Sequence, residues 1–200
     1  MLEAKNLTFA YGHADPIYSG VSLRVEQDER VALQAPSGFG KTTLCQMLAG
    51  YLHPASGQVL LDGEPLPGKG PCPVQMIWQH PERVLDPRMR MKDSLAEAGE
   101  TPLHVLEGLG IQDRWMSRYP HELSGGEMQR FCIARALTVQ PRFLIADEIS
   151  TMLDALTQAT LWDFLLRETQ EQGIGMVLVS HSPTLTARVA TRTVDLTHLV

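Results

Sequence analysis

The chain has 200 residues, 44% hydrophobic and 20% charged, with a formal net charge of -6. That length supports one sizeable core with little left for a second domain, and the acidic balance leaves no global electrostatic footprint for nucleic acid. The opening "MLEAKNLTFAYG" lacks the basic start and apolar run of a signal peptide, and no stretch approaches the roughly 18–20 apolar residues that span a bilayer.

Residues 2–10 and 21–26 read as short strands; in the second, Val21, Leu23 and Val25 alternate with Ser22, Arg24 and Glu26, the period of a half-buried strand. "RVALQA" (30–35) is more evenly apolar, as a strand covered on both faces should be. A glycine-containing loop follows, and a helix is expected from about Thr42, because Leu44, Met47, Leu48 and Tyr51 recur at helical spacing. "HPASG" closes that region, and "QVLLDG" reads as a strand ending in an Asp-Gly turn. Residues 64–73 hold four prolines and two glycines and read as a loop. "VQMIW" (74–78) is a buried strand.

From His80 to about Leu137 the pattern turns mainly helical, broken at Pro81, Pro87, Pro102 and Pro120. Strand character returns in "RFLIAD" (142–147), a helix is expected from about Thr157 to Gln172 with Gly173 as its stop, and "IGMVLVS" (174–180) is the last strong strand. Buried strands alternating with helices argue for a parallel sheet with helices on its faces. The stretch 80–137 reads as an all-helical insertion, dividing one domain into a core lobe (about 1–79 and 138–200) and a helical subdomain.

Three stretches carry the chemistry. In "VALQAPSGFGKTTL" (31–44), a strand runs into a glycine loop and then a helix, which is the context of a phosphate site. Backbone N–H groups from Gly38 to Thr42 would wrap a β-phosphate at the positive end of the helix. Lys41 would reach the β- and γ-phosphates, and the Thr42 hydroxyl would ligate Mg²⁺; the candidate nucleotide set is Ser37, Gly38, Phe39, Gly40, Lys41, Thr42 and Thr43. Ala35 stands where the pattern has its first glycine; the substitution costs about 1–2 kcal/mol if that junction needs a positive φ and almost nothing otherwise. "FLIADE" then delivers Asp147 and Glu148 at the carboxyl end of an apolar strand, where ligands bind in open α/β sheets. If both are strand residues they point opposite ways: Asp147 suits a Mg²⁺ shell and Glu148 suits polarising an attacking water. Finally, in "LSGGEMQR" (123–130), Ser124 and Glu127 form a capping box, while Gly125 and Gly126 bare the helix tip to a second anion.

On those residues the chain resembles the ABC-transporter ATPase family along essentially its whole length. "LSGGEMQR" is similar to the family signature; Lys41 with Thr42 matches the Walker A motif, and Asp147 with Glu148 matches Walker B. Further matches are Gln79, the Q-loop glutamine that touches Mg²⁺ or water, and Asp154 in "TMLD", the D-loop acid. His181 matches the switch histidine that contacts the γ-phosphate, and Tyr11 the aromatic that stacks on adenine. The resemblance implies a P-loop NTPase fold of the α/β class, with an antiparallel N-terminal β region and the helical insertion. It also implies ATP and Mg²⁺ as ligands and ATP hydrolysis as the reaction. A second such ATPase would be met head to tail, so that Ser124, Gly125 and Gly126 serve the partner's nucleotide. Permease subunits would hold the protein to the cytoplasmic face of the membrane, with an extracytoplasmic solute-binding protein acting indirectly and no nucleic acid involved.

"QHPERVLDPRM", "RYPHELSGGEMQR" and "LIADEISTMLDALTQA" look like the peptide, nickel and opine import branch. Three features depart from it: Ala35, Ile149 where a proline commonly follows the acidic pair, and an end soon after His181 where branch members often carry a further segment. A soluble ABC ATPase of the DNA-repair or translation kind would need coiled-coil insertions or fused cassettes, for which there is no room. A subunit that holds ATP without splitting it, paired with an active one, is the other competitor. The three cysteines (Cys45, Cys72, Cys132) are widely spaced and are expected to be buried thiols. Outside the site His13, His53, His80, His104, His121 and His198 form no ligand-spaced cluster.

Overall fold

A computed structural model describes residues 1–12 and 14–199; His13 lies outside the described residues. The strands form two sheets. In the first, β1 (Leu2–Phe9) pairs antiparallel with β2 (Tyr18–Val25) and with β4 (Ser56–Leu61), and the two-residue β5 (Glu64–Pro65) extends β4. In the second, β3 (Arg30–Gln34), β6 (Val74–Ile77), β7 (Phe143–Asp147), β8 (Gly175–Val179) and β9 (Arg192–Asp195) pair in parallel, in the order β6-β7-β8-β3-β9.

The pleat of the parallel sheet separates two cores. Leu144, Ala146, Met176 and Leu178 face one side, and Phe143, Ile145, Val177 and Val179 face the other. Both sides are covered, which is why β7 and β8 are buried at every residue and read as unbroken apolar runs. On the second side lie the antiparallel sheet, through Leu2, Leu7, Val21 and Val25, and helix α1 (Lys41–Leu48), through Leu44 and Leu48.

On the first side lie α2 (Met91–Ala96), α3 (Leu103–Gly108), α4 (Asp113–Met116), α5 (Gly125–Thr138) and α6 (Ala155–Gln172). All of α2–α5 fall between β6 and β7, with short 3₁₀ turns at Pro81–Arg83 and Pro120–Glu122. Their apolar residues, among them Met91, Val105, Leu109 and Phe131, join one continuous core with Leu161, Trp162 and Leu165 of α6 and with the sheet. No helix among the described residues is long and apolar enough to cross a membrane.

Several expected boundaries move. The second strand begins at Tyr18, not residue 21, and β5 lies inside the stretch read as a loop. Helix α1 ends at Leu48: Gly50 sits at φ 78 and the Tyr51 N–H returns to the Gln46 carbonyl. That leaves Tyr51 exposed, although its spacing had placed it on the buried face. Helix α6 begins at Ala155, ahead of Thr157, because the Asp154 carboxylate accepts from the Leu156 and Thr157 N–H groups and starts the helix there.

Beyond residue 180, α7 (Pro183–Val189) and β9 complete the sheet edge. The sequence "RTVD" is too polar to read as a strand; it pairs with β3 through its backbone. Cys45 and Cys132 are buried, and burial pushes both thiols up, but Cys72 is only half-buried, contrary to expectation.

Gly175 marks the tightest crossing in the sheet: a Cβ there would come 2.4 Å from Phe143 Cε1 and 2.8 Å from the Glu26 carbonyl oxygen. Because one of those atoms is backbone, the clash has no easy escape. Gly175→Ala should therefore destabilise by about 1–3 kcal/mol, seen in calorimetry as a thermal midpoint lower by several degrees.

Candidate active site

The loop after β3 gets its shape from glycine. Gly38 and Gly40 sit at φ 79 and 94, and Gly40 is the N-cap of α1. At Gly40 a Cβ would meet Ile17 Cγ2 at 2.6 Å, so both the conformation and the packing exclude a side chain. Ala35 is not among the residues at positive φ, so the departure at the strand–loop junction carries no backbone strain. Lys41 is buried, and its Nζ donates to the Ala35 and Pro36 carbonyls at 2.8 and 3.0 Å. The lysine thus spans the concave side of the loop that a phosphate would fill.

Thr42, in the first turn of α1, donates its hydroxyl to Asp147 Oδ2 at 2.7 Å. Asp147 ends β7 and is 2% exposed, and its other oxygen, Oδ1, is buried with no partner. An orphaned carboxylate oxygen beside a hydroxyl oxygen fits a small hard cation, which takes oxygen donors. Burial pushes the Asp147 carboxyl above its usual range, while the Thr42 hydrogen bond pulls it back in part.

Glu148 is no longer a strand residue, which corrects the expectation of two carboxylates splayed by the pleat. It sits at φ 51, just past β7, and this left-handed turn aims its side chain. One carboxylate oxygen, Oε2, accepts from Gln79 Nε2 at 2.9 Å, and Oε1 lies 2.8 Å from His181 Nε2. Gln79 follows β6 and His181 follows β8, so both flank β7 at the same edge. Thr42, Gln79 and Asp147 also line a common pocket of about 310 Å³. Tyr11 is 51% exposed, packs edge-on against Phe9 at 4.9 Å, and its hydroxyl lies 3.2 Å from Thr43 Oγ1.

The remaining expected residues gather in a second cleft of about 440 Å³, lined by Ser124, Gly125, Gly126, Leu153 and Asp154. Ser124 caps α5 and exchanges bonds with Glu127 in the expected capping box. The paired glycines have a packing reason as well: a Cβ on Gly125 would come 2.9 Å from Met152 Sδ, and one on Gly126 2.7 Å from Leu153 Cδ2. Leu153 also lines a neighbouring cleft of about 340 Å³, beside Glu148 and His181. Sequence reasoning missed Ser150, Gln158 and Trp162 in that cleft; the four-residue spacing of Gln158 and Trp162 along α6 is the signal that was there to find. It also missed a 260 Å³ groove lined by Tyr51, Trp78, Val84 and Arg135.

The strand-edge loops and the capped helix tip define a nucleotide-binding cassette, and the chain belongs to the ABC transporter family, which matches residues 18–151. That span takes in Lys41, Gln79, the signature and the acidic pair, and leaves Tyr11, Asp154 and His181 outside it. Among its relatives is the spermidine/putrescine import ATP-binding protein PotA of Chromobacterium violaceum, 37% identical over 194 residues, covering 90% of this chain and 53% of that protein. The oligopeptide transport ATP-binding protein OppF of Streptococcus mutans is 32% identical over 216 residues, covering 96% and 70%. The chain spans about half the length of the PotA relatives it matches. In fold it is similar to an ATP-binding cassette solved as a dimeric post-hydrolysis state bound to ADP and Pi, with a TM-score of 0.84, 24% identity and 98% and 94% of the two chains covered.

The raised Asp147 carboxyl has a stability consequence with a definite sign. The folded chain holds that proton more tightly than the unfolded chain. The stability it adds is present below the ordinary aspartate range and is lost as pH rises through the raised value. At neutral pH the ionised group therefore weighs against the nucleotide-free fold. Asp147→Asn should raise the thermal midpoint at neutral pH and flatten its fall with rising pH, as measured by melts of the ligand-free protein across pH.

Proposed function

We propose that this chain binds ATP with Mg²⁺ and hydrolyses it as the nucleotide-binding subunit of an ABC importer. The observation that carries this reading is the Glu148 carboxylate, held between Gln79 and His181 at the edge where Lys41, Thr42 and Asp147 converge. The N–H groups of Gly38 to Thr42 cradle the phosphates, and Lys41 exchanges its two carbonyl partners for phosphate oxygens. Glu148 accepts the proton of the attacking water, Gln79 and His181 orient it, and Tyr11 offers a face for the adenine ring. Mg²⁺, held by Thr42 and Asp147 with Gln79 nearby, neutralises charge on the β- and γ-phosphates when bound. Phosphoryl transfer depends mainly on positioning and charge stabilisation, so a site assembled from several loops is suited to it.

Ser124, Gly125, Gly126 and Asp154 line a different cleft from that set. Their place is against the nucleotide of a second cassette, met head to tail. Closure of the pair then uses ATP-binding energy, and hydrolysis reopens it. The groove at Tyr51, Trp78 and Val84 lies where the helical stretch from about residue 80 to 137 meets the core lobe. Tyr51 and Trp78 pack edge-on there at 5.1 Å, an apolar seat for a permease segment on the cytoplasmic face of the membrane. A solute-binding protein would act through that permease. The motif phrasing and the OppF relative favour a peptide, nickel or opine cargo; the PotA relatives favour a polyamine as a second reading.

Glu148→Gln should leave the ATP dissociation constant within about threefold while cutting phosphate release by about 10²-fold or more. Unchanged turnover in that protein would remove Glu148 as the base. Lys41→Ala should instead weaken ATP binding by about tenfold or more in equilibrium titration; normal affinity would count against the loop as the phosphate site.

A further inference from the structure

Glu148 owes its aim to a left-handed backbone turn, and that turn has to be held by something. Its N–H donates to the Val179 carbonyl at 3.0 Å, which ties it to β8. The Thr151 N–H and hydroxyl both donate to the Glu148 carbonyl, at 3.3 and 3.2 Å, and the Leu153 N–H donates to the Ser150 carbonyl at 3.2 Å. The next residue, Ile149, stands where the related pattern has a proline. A proline ring would fix that φ covalently; isoleucine leaves it to be held by packing and hydrogen bonds. Its side chain is buried in the helical-side core.

The hydroxyl of Ser150 then ties the turn to α6. Ser150 is buried, and its Oγ accepts from Gln158 Nε2 at 2.8 Å and from Trp162 Nε1 at 3.1 Å. Gln158 and Trp162 are four residues apart on α6, so one helix face presents both donors. A hydroxyl has two acceptor lone pairs, and both are engaged. Trp162 is 2% exposed and its indole can only donate, so the serine oxygen is the acceptor that its buried N–H uses.

We infer that Ser150 is a positioning residue for Glu148: its hydroxyl, clamped by Gln158 and Trp162, does the work of the missing proline by fixing the turn that aims the carboxylate. This rests on Glu148 being the base. Ser150 acts on turnover through the placement of Glu148, and a shift of about 1 Å at such a group is worth up to about 10²-fold in rate.

The test uses the full-length chain with Mg-ATP, measuring kcat, ATP affinity and thermal midpoint beside Glu148→Gln as the reference. Ser150→Ala should lower kcat by about tenfold or more with the ATP dissociation constant within about twofold. Ser150→Thr keeps the oxygen, and its added methyl has room in the adjoining 340 Å³ cleft, so kcat should stay within about threefold. A merely structural serine would lower the thermal midpoint in Ser150→Ala and leave kcat of the folded protein, measured well below that midpoint, unchanged.

Normal kcat in Ser150→Ala, or kcat in Ser150→Thr as low as in Ser150→Ala, overturns the inference. Should Ser150→Ala not fold, Gln158→Ala takes its place, because it removes one donor from a half-buried position. There kcat lowered by about threefold or more at unchanged affinity supports the inference, and unchanged kcat overturns it. If Glu148→Gln itself turns over normally, it is the reading of Glu148 that fails; if only the Ser150 and Gln158 variants do, the clamp alone is wrong.

Discussion

Parallel pairing of β3, β6, β7 and β8 is the constraint from which the site follows. Each strand runs the same way, so each carboxyl end opens onto the same edge. The phosphate loop leaves β3, Gln79 follows β6, the acidic pair ends β7, and His181 follows β8. Reversing any one of these strands would carry its residue to the opposite edge, roughly 15 Å away at about 3.3 Å per residue. The crevice outside the carboxyl ends of an open parallel sheet is where ligands generally bind, and here four such ends bring Lys41, Gln79, Asp147, Glu148 and His181 to one edge.

Within that cleft the resting molecule already answers its own charges. Lys41 is satisfied by two loop carbonyls, Asp147 by Thr42 at one oxygen, and Glu148 by Gln79 and His181. The exception is Asp147 Oδ1, which is buried and unpartnered. A ligand entering this site therefore exchanges existing hydrogen bonds and meets groups already held in place, which lowers the reorganisation that its binding demands.

Much of this was legible in the residues. The four apolar runs at 30–35, 74–78, 142–147 and 174–180 are buried strands, because each is short, β-rich and bracketed by turn formers. The loop was legible because Gly-Lys-Thr follows such a strand and opens a helix. The junction at Ala35 was left open by the sequence, since one residue type fits two backbone states; a negative φ there settles it. Other features could not be read, for reasons of range and polarity. β9 is held by backbone pairing and has little apolar pattern, and β5 is two residues long. The left-handed turn at Glu148 is imposed by bonds to Val179 and Thr151, not by any propensity of glutamate. Tyr51 matched the helical period, but a glycine one residue earlier had already ended the helix.

The close approach of Gly125 and Gly126 to Met152 and Leu153 has a geometric corollary. Leu153 lines the cleft beside Glu148 and His181 as well as the one at the α5 tip, so a single isobutyl group borders both. A substitution at that one position therefore alters the lining of two clefts at once.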